Sequence, residues 1–316
     1  MSTVARAPHW AGIGESTFVA GIRWLCAVER WLGRWPFRAC LYPVVLCHWL
    51  LNATARRASL EYLRQVQATQ AVFPRVPGAW LGLRHFACFA ETLLDKVLAS
   101  HGRYPVERVR IECDVMQQQV ARGEGGVILT AHMGCLELCQ ALAGTVPGFR
   151  VTALVHTAHA EDFNRLLRQL NPDSRVELLQ VTALDAAMAI RLGERVAAGE
   201  FVAITGDRVP VGGGRTVFAP FLGRPAPFPV GPYVLASALG CPLFAMACTH
   251  EGQGYRVHFE RFCDRVLLPR AARDAALAAQ VARYAGWLEA QVRQAPLDWF
   301  NFFPFWDQVS HDPASP

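Results

Sequence analysis

The sequence predicts an α/β fold with a mostly parallel central sheet flanked by helices, preceded by an N-terminal helical segment that associates with membranes. After Gly125, short apolar runs alternate with helical stretches, the pattern of parallel strands joined by crossover helices. Before that residue the periodicity is helical. The 316-residue chain is 52% hydrophobic and only 18% charged, so part of its surface is expected to rest against apolar material.

The individual elements follow from local periodicity. Strands are predicted at 126–131, 150–155, 175–180, 201–206, 242–249 and 255–262, the last of which alternates in polarity as an edge or antiparallel strand does. Helices are predicted at 134–145, 160–170, 184–198, 229–240 and 271–294. We therefore expect a catalytic domain at 101–306, after an N-terminal helical region at 1–100 and before a flexible tail at 307–316.

The segment 15–38 is predicted to form a helix that lies in the membrane interface. Trp24, Trp31 and Trp35 are spaced by seven and four residues, so they share one helical stripe beside a stripe of arginines. Indole rings favour the boundary between acyl chains and head groups, where arginine can reach lipid phosphates. A core-packed helix with a basic edge would show the same pattern. The apolar run 39–51 is shorter than the roughly 20 residues of a bilayer crossing, so we expect peripheral or monotopic attachment.

The charge of the chain indicates which partners it binds, and its cysteine content indicates the cellular compartment in which it folds. The net charge of +5 is carried almost wholly by arginine, since Lys96 is the only lysine. Arginine suits bidentate contact with phosphate, so phospholipid head groups, a phosphopantetheine arm or an acidic carrier protein are the expected partners. No arginine stripe is interleaved with aromatic residues, which argues against nucleic acid. Ten scattered cysteines and a start unlike a cleavable signal peptide predict a cytoplasmic location.

The segment VILTAHMGCLELCQALA carries the main candidate for chemistry. An apolar strand ends at His132, Gly134 permits a tight turn, and Glu137 follows in the next helical stretch. The carboxyl ends of parallel strands face the crevice where open sheets bind ligands. A carboxylate can hold one imidazole nitrogen there while the other nitrogen takes a proton. A hydrogen-bonded histidine without a catalytic role is the alternative interpretation.

No nucleophile motif accompanies His132 and Glu137. The sequence has no Gly-x-Ser-x-Gly elbow, and no cysteine lies in a recognisable nucleophile motif. The proton must therefore come from a substrate. We expect His132 to act as general base on an acceptor hydroxyl or amine, which attacks a bound thioester without a covalent enzyme intermediate. This chemistry needs no cofactor besides the thioester co-substrate.

The stretch from His132 to Glu137 resembles the His-x-x-x-x-Asp/Glu motif of the lysophospholipid acyltransferase superfamily. Its glutamate form is similar to the bacterial lipid A late-acyltransferase family. Cys135 and Leu136 stand where that family typically has Asn and an aromatic residue. The resemblance implies a glycerolipid-acyltransferase-like fold, with His132 and Glu137 as the catalytic pair.

Further blocks resemble the same family in the same order. FVAITGDRVP at 201–210 resembles the second block, and the stretch 217–244, with a Phe-x-Gly-x-x-Ala pattern, resembles the third and fourth. Arginines there can hold phosphate or orient a thioester, and the helix start at a Gly-Pro turn can bind an anion. Asp207 can instead position Arg208. The predicted substrate-binding residues are Gly134, Asp207, Arg208, Arg215, Phe221, Gly223, Arg224 and Gly231.

The resemblance implies an O- or N-acyltransferase at the cytoplasmic face of the bacterial inner membrane. Its donor would be an acyl carrier protein or coenzyme A thioester, with the acidic carrier protein favoured by the arginine-rich surface. The acceptor would be a lipid A-like molecule, an amino-lipid, a glycerophospholipid or an aryl-polyene pigment lipid. Lipid A enzymes more often carry Ala-Asp-Gln where this chain has Gly206-Asp207-Arg208, so the acceptor stays open.

Two other functions remain compatible with the sequence. A metal-dependent hydrolase would use His132, His156 and His159, although their spacing suits zinc only loosely and no metal site is predicted. A non-catalytic lipid-binding protein of the same fold is the other alternative, since fold does not fix function. Metal analysis would identify the first, and membrane binding without any acyl product would identify the second.

Overall fold

The computed structural model describes residues 34–100, 102–139, 146–155, 176–180, 186–209 and 214–308. Within these ranges a seven-stranded, mainly parallel sheet is flanked by helices, which confirms the predicted α/β architecture. Most of the helix predicted at 15–38, the helix predicted at 160–170, and both His156 and His159 lie outside the described residues. The membrane-associating segment and the domain boundaries therefore stay predictions.

The described chain begins with three helices, α1 (Arg34–Leu51), α2 (Ala53–Gln70) and α3 (Ala79–Ser100). The remaining helices and strands follow in a mixed order. They are β1 (Val109–Glu112), α4 (Asp114–Ala121), β2 (Gly126–Thr130), β3 (Val151–Val155), β4 (Val176–Gln180), α5 (Ala186–Ala197), β5 (Phe201–Thr205), β6 (Thr216–Phe221), β7 (Arg224–Pro229), α6 (Gly231–Leu239), β8 (Leu243–Glu251), β9 (Gly254–Cys263) and α7 (Arg273–Gln294). Short 3-10 turns lie at Val106–Arg108, Leu136–Cys139 and Arg270–Ala272.

The central strand of the sheet is β2. The strand order is β1-β9-β8-β2-β5-β3-β4, and β2 pairs in parallel with β5 and β8. Every residue of β2 is buried, as its continuous apolar run predicts for a strand covered on both faces. β9 runs antiparallel to β8, as its alternating polarity predicts. It is not an edge strand, because β1 pairs with it in parallel on the other side.

Alternate side chains of β2 enter two hydrophobic cores. Val127 and Leu129 pack on the face that also buries Tyr62 of α2, whereas Ile128 packs on the face that buries Phe86 of α3. This is the two-residue period of a β-strand. The N-terminal helices therefore share their apolar cores with the sheet. None of the described helices combines the length and apolarity needed to span a bilayer.

Three strands of the structure, β1, β6 and β7, were not predicted from the sequence. β1 has only four residues, and β6 and β7 form a separate antiparallel pair. Leu222 and Gly223 make the turn between them with φ values of 49° and 79°, as a two-residue hairpin turn requires. β7 reads RPAPFP, and proline normally argues against a strand because it donates no hydrogen bond. A two-stranded pair tolerates it, since each strand has an open edge.

Candidate active site

His132 lies just beyond the carboxyl end of β2 and is held by Asp207. The His132 backbone N–H donates to Asp207 Oδ2 at 2.9 Å, and the ring Nδ1 lies 2.8 Å from Asp207 Oδ1. The sheet register explains the meeting: Thr130 pairs with Thr205 across β2 and β5, so His132 and Asp207 are each two residues past a matched pair. Parallel neighbours end at the same edge, which brings the two side chains together.

Asp207 is an ionised carboxylate that accepts three hydrogen bonds, two from His132 and one from Trp299. It is 1% exposed, and the indole Nε1 of Trp299 donates to its Oδ2 at 2.9 Å. Burial raises the pKa of Asp207, but the charge that His132 carries at low pH, its hydrogen bond, the charge of Arg208 and the indole bond outweigh burial and lower the pKa to about 2. Asp207 therefore accepts hydrogen bonds at neutral pH, so we place the ring proton of His132 on Nδ1.

The His132 ring is a neutral base at physiological pH. Burial lowers its pKa below the ordinary 6.5, and the positive charges of Arg208 and Lys96 lower it further, against the raising effect of Asp207. The side chain is 33% exposed, so it is not sealed in the core. With Nδ1–H donating to Asp207, Nε2 carries the lone pair that accepts a proton.

Glu137 does not hold the His132 ring, contrary to the sequence expectation. Glu137 Oε1 lies 3.4 Å from Lys96 Nζ on α3, and the Cys135 thiol contacts Oε2 at 3.8 Å. No hydrogen bond or ion pair joins Glu137 to His132, both of which the structure describes. The helix predicted at 134–145 begins instead as the 3-10 turn Leu136–Cys139, and 140–145 lie outside the described residues. This turn directs the carboxylate towards α3 rather than back to the strand end.

The C-terminal segment after α7 forms backbone hydrogen bonds with the loop that carries His132. The backbone N–H of Phe300 donates to the His132 carbonyl at 3.1 Å, and the Gly134 N–H donates to the Asp298 carbonyl at 3.0 Å. Trp299, which donates to Asp207, is 1% exposed and packs edge-on against Phe221 at 5.2 Å between ring centroids. The sequence pattern gives this aromatic terminus no part in the site, so the hydrogen bond from Trp299 to Asp207 is a finding of the structure.

Arg208 places a positive charge beside the pair. Its guanidinium donates to the Phe300 carbonyl at 3.3 Å and lies 5.4 Å from the Phe303 ring centroid. Burial lowers its pKa, and Asp207 acts in the opposite direction. Arginine nevertheless stays charged in proteins. The guanidinium can therefore favour negative charge that develops near His132.

The other predicted binding residues make their contacts elsewhere in the described structure. Arg215 pairs with Asp274 on α7 at 2.6 Å. Arg224 forms an ion pair with Glu61 of α2, and its guanidinium lies over the Trp306 ring. The remaining three have structural positions: Phe221 is fully buried among aromatic rings, Gly223 forms the β6–β7 turn, and Gly231 begins α6. The structure thus groups Gly134, Asp207 and Arg208 around His132, and it shows no contact between His132 and these others.

Gly134 is required by the close approach of the His132 loop to β8. Its φ is +57°, and a Cβ would lie 1.7 Å from the Cys248 carbonyl oxygen. We expect Gly134→Ala to lose more than the roughly 1–2 kcal/mol that a left-handed conformation costs an L-residue, because the clash with a backbone atom adds to it. The free energy of unfolding from urea denaturation measures this loss.

The control for that substitution is Gly123→Ala. Gly123 has a φ of +68°, but a Cβ added there would meet no atom within 4 Å. Gly123→Ala therefore measures the free-energy cost of the left-handed conformation without a steric clash. Equal losses of stability in the two variants would contradict the close packing of the His132 loop on β8.

A known protein family matches most of the described chain. The family model described as "Bacterial lipid A biosynthesis acyltransferase" matches residues 69–308, which include β2, β5, His132, Asp207 and the C-terminal segment. None of the curated proteins matches the chain.

Proposed function

Because the chain belongs to the bacterial lipid A biosynthesis acyltransferase family, we propose that it transfers an acyl group from a thioester to a lipid-like acceptor with His132 as general base. One observation carries the catalytic assignment: His132 Nδ1 is held by an ionised, buried carboxylate at 2.8 Å. This fixes the ring and its tautomer, as the carboxylate does in other histidine-based acyl transfer sites. The second nitrogen is then free to act on substrate.

The reaction runs through direct attack. His132 Nε2 takes the proton of an acceptor hydroxyl or amine, whose oxygen or nitrogen forms the new bond to the thioester carbonyl carbon. The carbonyl oxygen becomes negative, and the charge of Arg208 favours it. When the carbon–sulfur bond breaks, the leaving thiolate receives the proton back from the imidazolium. Asp207 stabilises that imidazolium between the two proton transfers.

Glu137 is assigned a place beside the pair rather than in it. The family motif makes it a catalytic candidate, but in this structure it is paired with Lys96. Lys96 is close enough for its charge to lower the pKa of His132. We propose that Glu137 limits this effect by neutralising Lys96, which keeps the cation near His132 from making the ring a weaker base. Its loss would then cost much less than the loss of Asp207.

The proposed donor is an acyl carrier protein or coenzyme A thioester. Both carry a phosphopantetheine arm, and the chain's net charge of +5 is almost entirely arginine, which favours phosphate and acidic surfaces. The proposed acceptor is a lipid A-like molecule, an amino-lipid, a glycerophospholipid or an aryl-polyene pigment lipid. Lipid mass spectrometry of a deletion strain against wild type tests this. We expect one lipid to lose one acyl chain and to regain it with the wild-type gene but not with His132→Gln; an unchanged lipid profile would refute the proposal.

We propose that the protein rests on the cytoplasmic face of the inner membrane as a peripheral or monotopic enzyme. α1 exposes several large apolar side chains to solvent, and Trp80 at the start of α3 adds another indole. The exposed large apolar residues of α1 are Trp35, Tyr42, Val44, Leu46, Leu50 and Leu51. A helix with this much exposed apolar surface is typical of an interfacial element. It would bring the enzyme to its lipid acceptor.

Replacing Trp35 and Leu51 with glutamate is expected to reduce binding to anionic phospholipid vesicles at least about tenfold, because each loses an apolar contact worth roughly 1.5–3 kcal/mol. These side chains are 81% and 85% exposed, so the fold should tolerate the change. Co-sedimentation measures the bound fraction. The matched control replaces Ile190 and Leu267 with glutamate; these side chains are 64% and 65% exposed and do not belong to α1. Equal losses in both double variants would contradict a membrane role for α1.

A further inference from the structure

A second cluster of reactive side chains lies where three elements meet, and it shares no residue with the His132 pair. Cys88 comes from α3, His250 from β8 and Asp298 from the C-terminal segment. The His250 Nδ1 is 2.8 Å from Asp298 Oδ1, and the Cys88 Sγ is 3.5 Å from the same oxygen and 3.9 Å from the same nitrogen. Among the described residues these three can each offer one ligand atom, all within 4.8 Å of one another.

The arrangement is not a nucleophile triad. In a thiol triad the sulfur faces one imidazole nitrogen and the carboxylate faces the other, whereas here Cys88 and Asp298 both approach Nδ1 of His250. The imidazole therefore does not lie between the sulfur and the carboxylate as a proton relay would require, and the three side chains need another explanation.

The spacing of the three atoms matches a tetrahedral transition-metal site. With zinc bond lengths of about 2.3 Å to sulfur and about 2.0–2.1 Å to nitrogen and oxygen, neighbouring ligand atoms lie roughly 3.4–3.6 Å apart. The two distances from Cys88 Sγ, 3.5 and 3.9 Å, are close to these values. The nitrogen–oxygen distance of 2.8 Å is that of a hydrogen bond and has to open by about half an ångström for metal binding.

The surroundings also favour a cation. Asp298 is buried, and its second oxygen already accepts from the His250 backbone N–H at 2.6 Å, so the carboxylate is oriented by an outer bond as metal ligands usually are. The carboxylates of Asp95 and Glu91 are close enough for their negative charges to act on His250 as well. A thiol, an imidazole and a carboxylate surrounded by further negative charge form a donor set that suits zinc-class ions.

We propose that Cys88, His250 and Asp298 bind one divalent transition-metal ion of the zinc class. Bonds form from the metal to Sγ, to Nδ1 and to one carboxylate oxygen. The thiol proton is released to solvent, and the single proton of the neutral His250 ring moves through solvent from Nδ1 to Nε2, which leaves the Nδ1 lone pair for the metal. Three protein ligands leave the fourth position to water. The site uses neither His156 nor His159, the histidines considered from the sequence.

Such an ion would fasten the C-terminal segment against α3 and β8. Asp298 also accepts from the Gly134 N–H through its carbonyl, and the next residue, Trp299, donates to Asp207. The metal would therefore hold in place the segment that contacts Gly134 and Asp207, and it would not contact the substrate. It is a structural role, and it does not depend on the proposed acyl transfer.

Cobalt(II) binding to the full chain tests this proposal. The reduced, chelator-treated protein is titrated with Co²⁺, and we expect one equivalent to produce a thiolate-to-cobalt charge-transfer band with visible bands of tetrahedral intensity. Zn²⁺ should abolish them by displacement. Cys88→Ser should lose the charge-transfer band and weaken binding at least about 100-fold, the upper end of what losing even an outer partner costs. Cys47→Ser and Cys263→Ser are the matched controls, since neither cysteine belongs to the cluster.

Two results would overturn the site. One is the absence of stoichiometric cobalt binding to the folded wild-type chain, which would leave the cluster a hydrogen-bonded ion pair. The other is a charge-transfer band that survives in Cys88→Ser or in His250→Gln, which would place the metal on other residues. Circular dichroism checks that each variant is folded, and Cys88→Ala replaces Cys88→Ser if serine prevents folding.

Discussion

His132→Gln is expected to lower kcat/KM for acyl transfer by about 10²–10⁴-fold, the usual contribution of a general base. The structure gives the reason: the substituted side chain offers no nitrogen that can take the acceptor's proton beside the ionised Asp207. The fold should survive, because the side chain is 33% exposed and the backbone contacts of residue 132 remain. Transfer of a labelled acyl group from a carrier thioester to a lipid extract measures the rate.

The pH dependence of the acyl-transfer rate distinguishes loss of the general base from a distortion of the site. Because the pKa of His132 is lowered from 6.5, chiefly by burial, the ring is neutral at pH 7 and becomes protonated only as the pH falls through that lower pKa. Wild-type activity should therefore fall at a pH below 6.5, and the residual activity of His132→Gln should lack this fall. His258→Gln is the control, since His258 is a partly exposed histidine that pairs with Glu112 instead. His258→Gln should keep the wild-type pH profile, and a His132→Gln variant that also kept it would contradict the assignment.

Asp207→Asn is expected to cost about 10³–10⁴-fold in kcat, as the loss of the orienting carboxylate does in a serine protease triad. The amide cannot stabilise the imidazolium, and it offers one acceptor oxygen where the carboxylate now serves the His132 N–H, the ring Nδ1 and the Trp299 indole. One buried donor is left unpaired, which costs about 1–3 kcal/mol of stability. Kinetics and urea denaturation on the same preparation separate the two effects.

The matched control for Asp207→Asn is Glu112→Gln. Glu112 also accepts from a histidine Nδ1, that of His258 at 3.0 Å, but on β1 and β9. Removing its charge should leave acyl transfer unchanged. A large loss of activity in this variant would show that the kinetic effect at Asp207 reflects general destabilisation rather than support of His132.

The position of His132 could be predicted from the sequence, but its partner could not. A buried strand followed by His and Gly indicates a strand end, and strand ends bind ligands in open sheets. The family motif pointed to Glu137, a neighbour in sequence. Asp207 lies 75 residues away and depends on β2 and β5 being adjacent and in register. The sequence predicts both strands, but it does not show that they pair. This pairing is part of the tertiary structure, and it places residues 132 and 207 side by side.

The contribution of the C-terminal segment was also hidden for a physical reason. Trp299 lies 92 residues after Asp207, and a tryptophan in an aromatic run looks like core packing. Its indole N–H needs an acceptor when it is buried, which is the one indication the sequence offers. The helix predicted at 134–145 failed at its start because Met133 and Gly134 are bridged to Trp299 and Cys248. These long-range contacts override local helical periodicity.

The most direct test of the pairing of His132 with Asp207 is a side-by-side measurement of kcat for Asp207→Asn and Glu137→Gln under one set of assay conditions. Glu137 faces Lys96 at 3.4 Å, so Glu137→Gln should keep kcat within about tenfold of wild type, while Asp207→Asn should lose about 10³-fold or more. The reverse order, with near-normal turnover in Asp207→Asn and none in Glu137→Gln, would contradict the pairing.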